Sequence, residues 1–272
     1  MSATLAYAVS DTTTMLRRSI RRMMRYPSMT LVLIGLPIIF LLLFVYVFGG
    51  TLGDGLGGAA GGTTEGGGRQ AYINYVTPGV LLLAVVGTAT ATAVMVSTDM
   101  TEGIVARFRT MRIFRPSILT AHVIGSMIQT LLGMAIVLGV AFLIGFRSNA
   151  TPVEWLAATG VLALLVLAIT WLAVGMGLVA STPESASNMP MPLMLLPFLG
   201  SGFVPTDSMP AWLGTFAEYQ PFTPVNETVR GLLLGTPIGH SAWIAVAWCT
   251  GITVVCFLWS LSLFDREPRP AR

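Results

Sequence analysis

Few residues in this chain have side chains able to react. Ser201 lies between Gly200 and Gly202, and His240 stands just before the last apolar run, so an intramembrane serine–histidine dyad is one arrangement to weigh. The pattern fits it poorly. A Gly-x-Ser-Gly nucleophile needs glycine at 199, where the chain has Leu199. Ser201 also follows a helix break instead of opening a helix. Cys249 and Cys256, seven apart, fall on one helix face about 10 Å from each other, too far for a disulfide, and read as small apolar packing residues. Gly53-x-Gly55-x-x-Gly58 has the spacing of a dinucleotide fingerprint, yet no strand precedes it and no helical run follows, so it reads as flexible linker. His122, alone near the end of an apolar run, reads as a packed, hydrogen-bonded residue and not a proton relay. The chain contains no lysine, which excludes a Walker phosphate loop and a Schiff base. No catalytic residue, metal site or cofactor is expected on this chain.

The elements around these residues belong to a membrane. Of 272 residues, 54% are hydrophobic and 10% charged, against about a quarter charged in soluble domains. Uncharged stretches run from Tyr26 to Gly53, Gln70 to Thr98, Pro116 to Phe146, Trp155 to Pro183, Ser185 to Thr206 and Gly231 to Phe264. Each exceeds the roughly 20 residues a helix needs to cross a bilayer. The expected fold is therefore an all-α integral membrane protein, one domain over 1–272, with six transmembrane helices. A basic region before the first apolar run suggests a signal peptide, but the run is too long and lacks an Ala-x-Ala-like site, so it reads as an uncleaved anchor. Arginines 17, 18, 21, 22, 25, 107, 109, 112, 115, 266, 269 and 272 share one side of such a topology, and only Arg69, Arg147 and Arg230 fall on the other. The positive-inside rule then places both termini in the cytoplasm. The same rule accounts for the net charge of +3, so no nucleic-acid partner is expected.

Residues 12–26 carry Arg17, Arg18, Arg21, Arg22 and Arg25 on one helical arc, with Leu16, Ile20, Met23 and Met24 on the other. This is an interfacial helix that either docks a cytoplasmic partner or anchors on lipid headgroups. The first span, Ser28 to about Phe48, contains Pro37, a kink signal. In the second, about Tyr75 to Thr98, threonine and alanine alternate from Gly87 to Ala93. Close helix packing and a polar-lined pathway both fit that alternation. The inner loop 99–117 mixes Asp99, Glu102, Arg107, Arg109, Arg112 and Arg115 with Ile104, Phe108, Met111 and Phe114. Exposed aromatics among charges suggest a protein contact. Spans at about Ile118–Ile144, Trp155–Val179 and Ala242–Leu263 are plainer. Asn188 to Gly235 is not. Pro190, Pro192 and Pro197 break its first part, and Trp212, Phe216, Tyr219 and Phe222 suit an interface belt. Irregular backbone at membrane depth is tolerated only where protein covers it or water wets it, which places this stretch on a transport route. Glu218, Glu227 and Arg230 are costly at depth unless paired or wetted, so an outer vestibule is expected for them.

Ser201-Gly202-Phe203-Val204-Pro205, Ser208-Met209-Pro210-x-Trp212-Leu213, Gln220-Pro221-Phe222-Thr223-Pro224 and Arg230-Gly231, set among six spans behind a basic amphipathic helix, resemble the permease subunits of ABC-2 type transporters, particularly the daunorubicin-resistance-like branch. The resemblance covers essentially the whole chain and is most specific from Ser201 to Gly231. It implies the membrane half of an exporter, with two permease chains paired in the bacterial plasma membrane. Each would dock a separate ATP-binding subunit that holds the ATP and magnesium. It implies that Arg17, Arg18, Arg21, Arg22, Glu102, Arg107, Phe108, Arg109 and Arg112 couple to that subunit, Glu102 being most like the family's acidic position. It implies outer re-entrant helices at Ser208–Phe216 and Thr223–Leu234 within 205–235. On this reading Phe203, Pro205, Trp212, Glu218, Glu227 and Arg230 form an outer gate. Phe40, Phe44, Thr88, Thr92, Met194 and Phe198 line the path of an amphiphilic substrate, either a hydrophobic drug or antibiotic, or a lipid, glycolipid or polysaccharide. Membrane lipids are the remaining partner.

Overall fold

The computed structural model of the chain describes residues 27–49, 68–101, 116–204 and 209–264, and every regular element among them is helical. Helix α1 spans Pro27–Leu43 and continues as a π-helical turn, Phe44–Phe48. It is followed by α2 (Gly68–Thr101), α3 (Pro116–Ile144), α4 (Pro152–Val179), α5 (Pro183–Asn188), α6 (Met191–Leu195), α7 (Ala211–Tyr219), α8 (Phe222–Leu234) and α9 (Ser241–Phe264). Four stretches are long and apolar enough to cross a membrane: Gly68–Thr101, Leu119–Ile144, Pro152–Val179 and Ser241–Phe264. The first apolar helix contributes a shorter run, Leu33–Phe48. The fifth uncharged stretch is not a continuous helix but the short pieces α5 and α6 followed by turns.

Helix α2 is the hub, 34 residues long and buried along most of its length against α1, α3, α4, α5, α6 and α8. It begins and ends beyond the uncharged stretch that marks it in the sequence. The terminal charges found partners: the Arg69 guanidinium sits 4.2 Å above the Tyr46 ring, and Asp99 pairs with His122 of α3. Small residues let α2 sit this deep. A Cβ at Gly177 of α4 would meet the Ala93 carbonyl oxygen at 2.6 Å, so the two backbones are in direct contact.

Helix α4 opens on a capping box in which Thr151 accepts from the Glu154 N–H while Glu154 Oε2 accepts from the Thr151 N–H at 2.6 Å. Thr182 and Ser185 repeat the device at α5, with Pro183 in the first turn. There the Glu184 carboxyl is held below the usual carboxylate range, first by its own backbone N–H and then by the Thr182 hydroxyl. The end of the bundle that holds the start of α2, the 145–151 turn and the end of α8 is called upper here. At that end the Arg147 N–H donates to Asn74 Oδ1 (3.1 Å), Gln70 Nε2 donates to the Gly145 carbonyl, and Ser148 Oγ donates to the Leu233 carbonyl (2.7 Å).

Large apolar side chains face outward. Trp243, Val255 and Leu258 on α9, Leu132 and Leu143 on α3, Leu31 and Ile39 on α1, and Val47 in the π-helical turn are all exposed. A surface of this kind aggregates in water and is solvated by hydrocarbon. Cys249 and Cys256 are buried and unpaired, consistent with packing residues.

Candidate functional site

Three prolines decide the course of the chain between α5 and α7. Each removes a backbone donor and crowds the carbonyl four residues earlier. One such residue is tolerated inside α1 (Pro37) and α2 (Pro78), but three close together break the helix over 190–204. Tight turns replace it: Leu193 N–H donates to the Pro190 carbonyl (2.9 Å), Leu196 N–H to Leu193 (3.2 Å) and Phe198 N–H to Leu195 (3.1 Å). The carbonyls freed by this break need other donors. Most come from α8 and the turn before it. Gln220 Nε2 donates to the Leu196 carbonyl at 3.0 Å. The Ser201 carbonyl accepts from three groups: Tyr75 Oη (3.0 Å), Asn226 Nδ2 (3.0 Å) and Arg230 Nη2 (2.6 Å).

Arg230 is the centre of this clasp. It also donates to the Tyr75 carbonyl at 3.1 Å, and its guanidinium carbon lies 3.8 Å from the centre of the Tyr75 ring. Among the described residues Arg230 makes no ion pair; carbonyl dipoles and a π face carry its charge. Thr223, Asn226 and Arg230 follow helical i, i+3, i+7 spacing, which aligns them on one face of α8. Gly79 and Gly202 allow the close approach, since a Cβ at Gly79 would sit 2.5 Å from the Gly202 carbonyl oxygen. Tyr75 and Gly79 are seven and eleven residues into α2, so the clasp lies about 10–17 Å below the upper end of that helix. Gln220 Oε1, Asn226 Oδ1 and Arg230 Nε are buried there with no partner among the described residues.

An aromatic box adjoins the clasp. Phe203 stacks on Phe44 (centroids 4.6 Å apart) and on Phe198 (4.9 Å), while Phe40 meets Phe198 edge-on at 5.7 Å. The π-helical turn begins at Phe44, and such turns recur at functional sites. Phe40, Phe44 and Phe198, expected along a path, thus come together with Phe203, expected in a gate. The rings are in mutual contact and close the space between α1 and the broken segment. Met194 is partly buried and packs against the same core.

Residues 10–234 match the family described as ABC-2 type transporter. The chain belongs to the ABC-2 type transporter family. It is 29% identical over 233 residues to the daunorubicin resistance ABC transporter permease protein DrrB1 of Streptomyces coeruleorubidus, covering 85% of this chain and 77% of that one. It is 25% identical over 181 residues to the "Probable doxorubicin resistance ABC transporter permease protein DrrC" of Mycobacterium tuberculosis, covering 66% of each chain.

Within this ABC-2 chain the other expected site residues separate. Trp212 and Glu218 are exposed on α7, as are Phe216 and Tyr219, whereas Phe222, grouped with them as an interface belt, is buried at the start of α8. Glu227 accepts from Ser241 Oγ at 2.8 Å and so ties α8 to α9. Thr88 and Thr92 are buried between α2 and α3 in a ladder of hydroxyls. Thr130 Oγ1 donates to Thr88 Oγ1 at 2.9 Å and Thr92 Oγ1 to Ser126 Oγ at 2.8 Å. Replacing Thr88 and Thr130 together by valine is expected to cost about 0.6 kcal/mol for that bond, read as the coupling energy of a double-mutant cycle on unfolding in detergent. Ser201 Oγ is engaged by Asn226 Nδ2 at 3.3 Å and His240 is exposed, which gives a serine–histidine dyad no support. Pro205 lies outside the described residues, as do Arg17, Arg18, Arg21, Arg22, Glu102, Arg107, Phe108, Arg109 and Arg112. The sequence gives no role to Tyr75, Gly79 or Asn226, and has Gln220 only as the head of the Gln220–Pro224 turn. Two amides in an otherwise apolar stretch were the available signal.

Proposed function

We propose that this chain is the membrane permease of an ATP-driven bacterial exporter, and that the Ser201 clasp with the adjoining aromatic box is its outer gate. The observation that carries this is the single Ser201 carbonyl on which Tyr75 of α2 and Asn226 and Arg230 of α8 converge. In this reading α1, α2, α3, α4, the broken segment and α9 make six crossings of the plasma membrane with both termini cytoplasmic. Helices α7 and α8 dip in from outside. A separate ATP-binding subunit with bound ATP and magnesium drives the cycle through residues 12–26 and 102–115. A second permease chain completes the path. The substrate is an amphiphilic drug, a class suggested by the names of the relatives and by the aromatic lining.

Inverted membrane vesicles containing this chain and its ATP-binding partner test the reading. ATP-dependent uptake of doxorubicin is expected, and a Phe44→Ala, Phe198→Ala double variant should lower it by about tenfold, since aromatic contacts carry about 0.5–1.5 kcal/mol each. A chain that neither co-purifies with an ATPase nor moves doxorubicin is not such a permease. Ser201→Ala removes only the Asn226–hydroxyl contact and leaves the carbonyl. It is expected to retain most transport, whereas a serine hydrolase would lose all activity.

A further inference from the structure

The stems of the 102–115 segment are α2 and α3, and polar contacts join these helices at three levels. At the upper end they are the Asn74 and Gln70 contacts to the 145–147 turn. In the middle is the hydroxyl ladder. At the lower end, His122 Nε2 lies 3.2 Å from Asp99 Oδ2, with side chains only 13% and 7% exposed. Asp99 is two residues from the end of α2, and His122 is in the second turn of α3. A carboxylate buried at the end of an apolar helix is costly unless it is paired. The pair also stands where the connecting segment enters and leaves the bundle. Helix α1, by contrast, meets its neighbours through apolar and aromatic side chains.

Building on the permease reading above, we propose that Asp99 and His122 are positioning residues for energy coupling. They clamp the two stems together, so that a push on 102–115 moves α2 and α3 as one body and carries the Tyr75 end of α2 away from Ser201. The His122 Nε2–Asp99 Oδ2 pair at 3.2 Å supplies the clamp, and the hydroxyl ladder keeps the helices in register above it. Nothing in the clamp touches the aromatic box, so its loss acts on coupling and not on substrate contact.

The test uses the full chain with its ATP-binding partner in proteoliposomes and reads doxorubicin moved per ATP hydrolysed. Asp99→Leu is expected to lower this ratio about tenfold while the complex still assembles and hydrolyses ATP. His122→Gln keeps an N–H donor at a similar reach and should hold the ratio near that of the parent. The exchanged pair, Asp99→His with His122→Asp, should restore it. An assembled Asp99→Leu complex with the parental ratio overturns the proposal, as does an exchanged pair that assembles but stays uncoupled. If every variant, the exchanged pair included, dissociates from the ATPase, the pair is a structural pin and the proposal falls. Failure of the parent complex itself to move doxorubicin would instead count against the permease reading.

Discussion

Arg230→Leu is expected to reduce ATP-dependent transport by about tenfold or more while changing stability by no more than about 2 kcal/mol. The small stability effect follows from opposed terms. The guanidinium makes charge-assisted bonds to the Ser201 and Tyr75 carbonyls and lies over the Tyr75 ring. Such bonds are worth about 1.5–3 kcal/mol each, and a desolvated cation–π contact about 2 kcal/mol. Against them stands the cost of holding a cation away from water, several kcal/mol per ion. Leucine removes both. The Ser201 carbonyl keeps Tyr75 Oη and Asn226 Nδ2, so no orphan is created there. What is lost is a side chain of α8 that reaches both α2 and the broken segment, and with it the defined closed state. Arg230→Lys should fall between the two, because an ammonium is a compact donor without the planar fork that reaches two carbonyls across a ring. Vesicle uptake and thermal unfolding in detergent, measured on the same preparations, check both halves. A large loss of stability with uptake per folded molecule unchanged would show Arg230 to be a structural pin.

Gly79→Val is expected to be strongly destabilising, by about 3 kcal/mol or more. A Cβ there meets the Gly202 carbonyl oxygen at 2.5 Å and the Gly202 C and Cα at 2.9 Å. All three are backbone atoms, so no side chain can rotate away. The broken segment must lift from α2, which adds loss of the clasp to an overpacking cost of about 1–3 kcal/mol. Gly202→Ala should be milder, because its Cβ meets the Pro197 carbonyl oxygen at 3.0 Å and Gly79 Cα at 3.4 Å. Gly160→Ala in α4 has nothing within 4 Å and should be neutral or stabilising by up to about 1 kcal/mol, the helix-propensity gain. Melting temperatures of the three variants should rank in that order. A Gly79→Val chain that melts like the parent would show that α2 and the Gly202 turn do not touch in the native state.

Most of the helical layout was legible because charge is so costly in hydrocarbon that its absence marks a span. The same rule misplaced helix ends wherever a charge was neutralised. Arg69 lies inside α2 because Tyr46 receives it, and Asp99 because His122 does. The break at Pro190, Pro192 and Pro197 was equally legible, since three missing donors so close together disrupt a helix that tolerates one, as α1 does at Pro37 and α2 at Pro78. Phe222 was not. It shares its composition signal with Trp212 and Tyr219, yet α8 turns it inward and α7 leaves them exposed.

The sequence by itself pointed to an ABC-2 membrane chain, to most of its long apolar helices and to the broken segment, and it placed Arg230 in an outer vestibule. The structure instead holds Arg230 on carbonyls and a ring inside the clasp. Only the tertiary structure decided what the partners of Arg230 are. A freed carbonyl specifies that some donor must come, but not which one. Tyr75 and Arg230 are 155 residues apart in sequence, and they meet at Ser201 because Gly79 and Gly202 let two backbones touch.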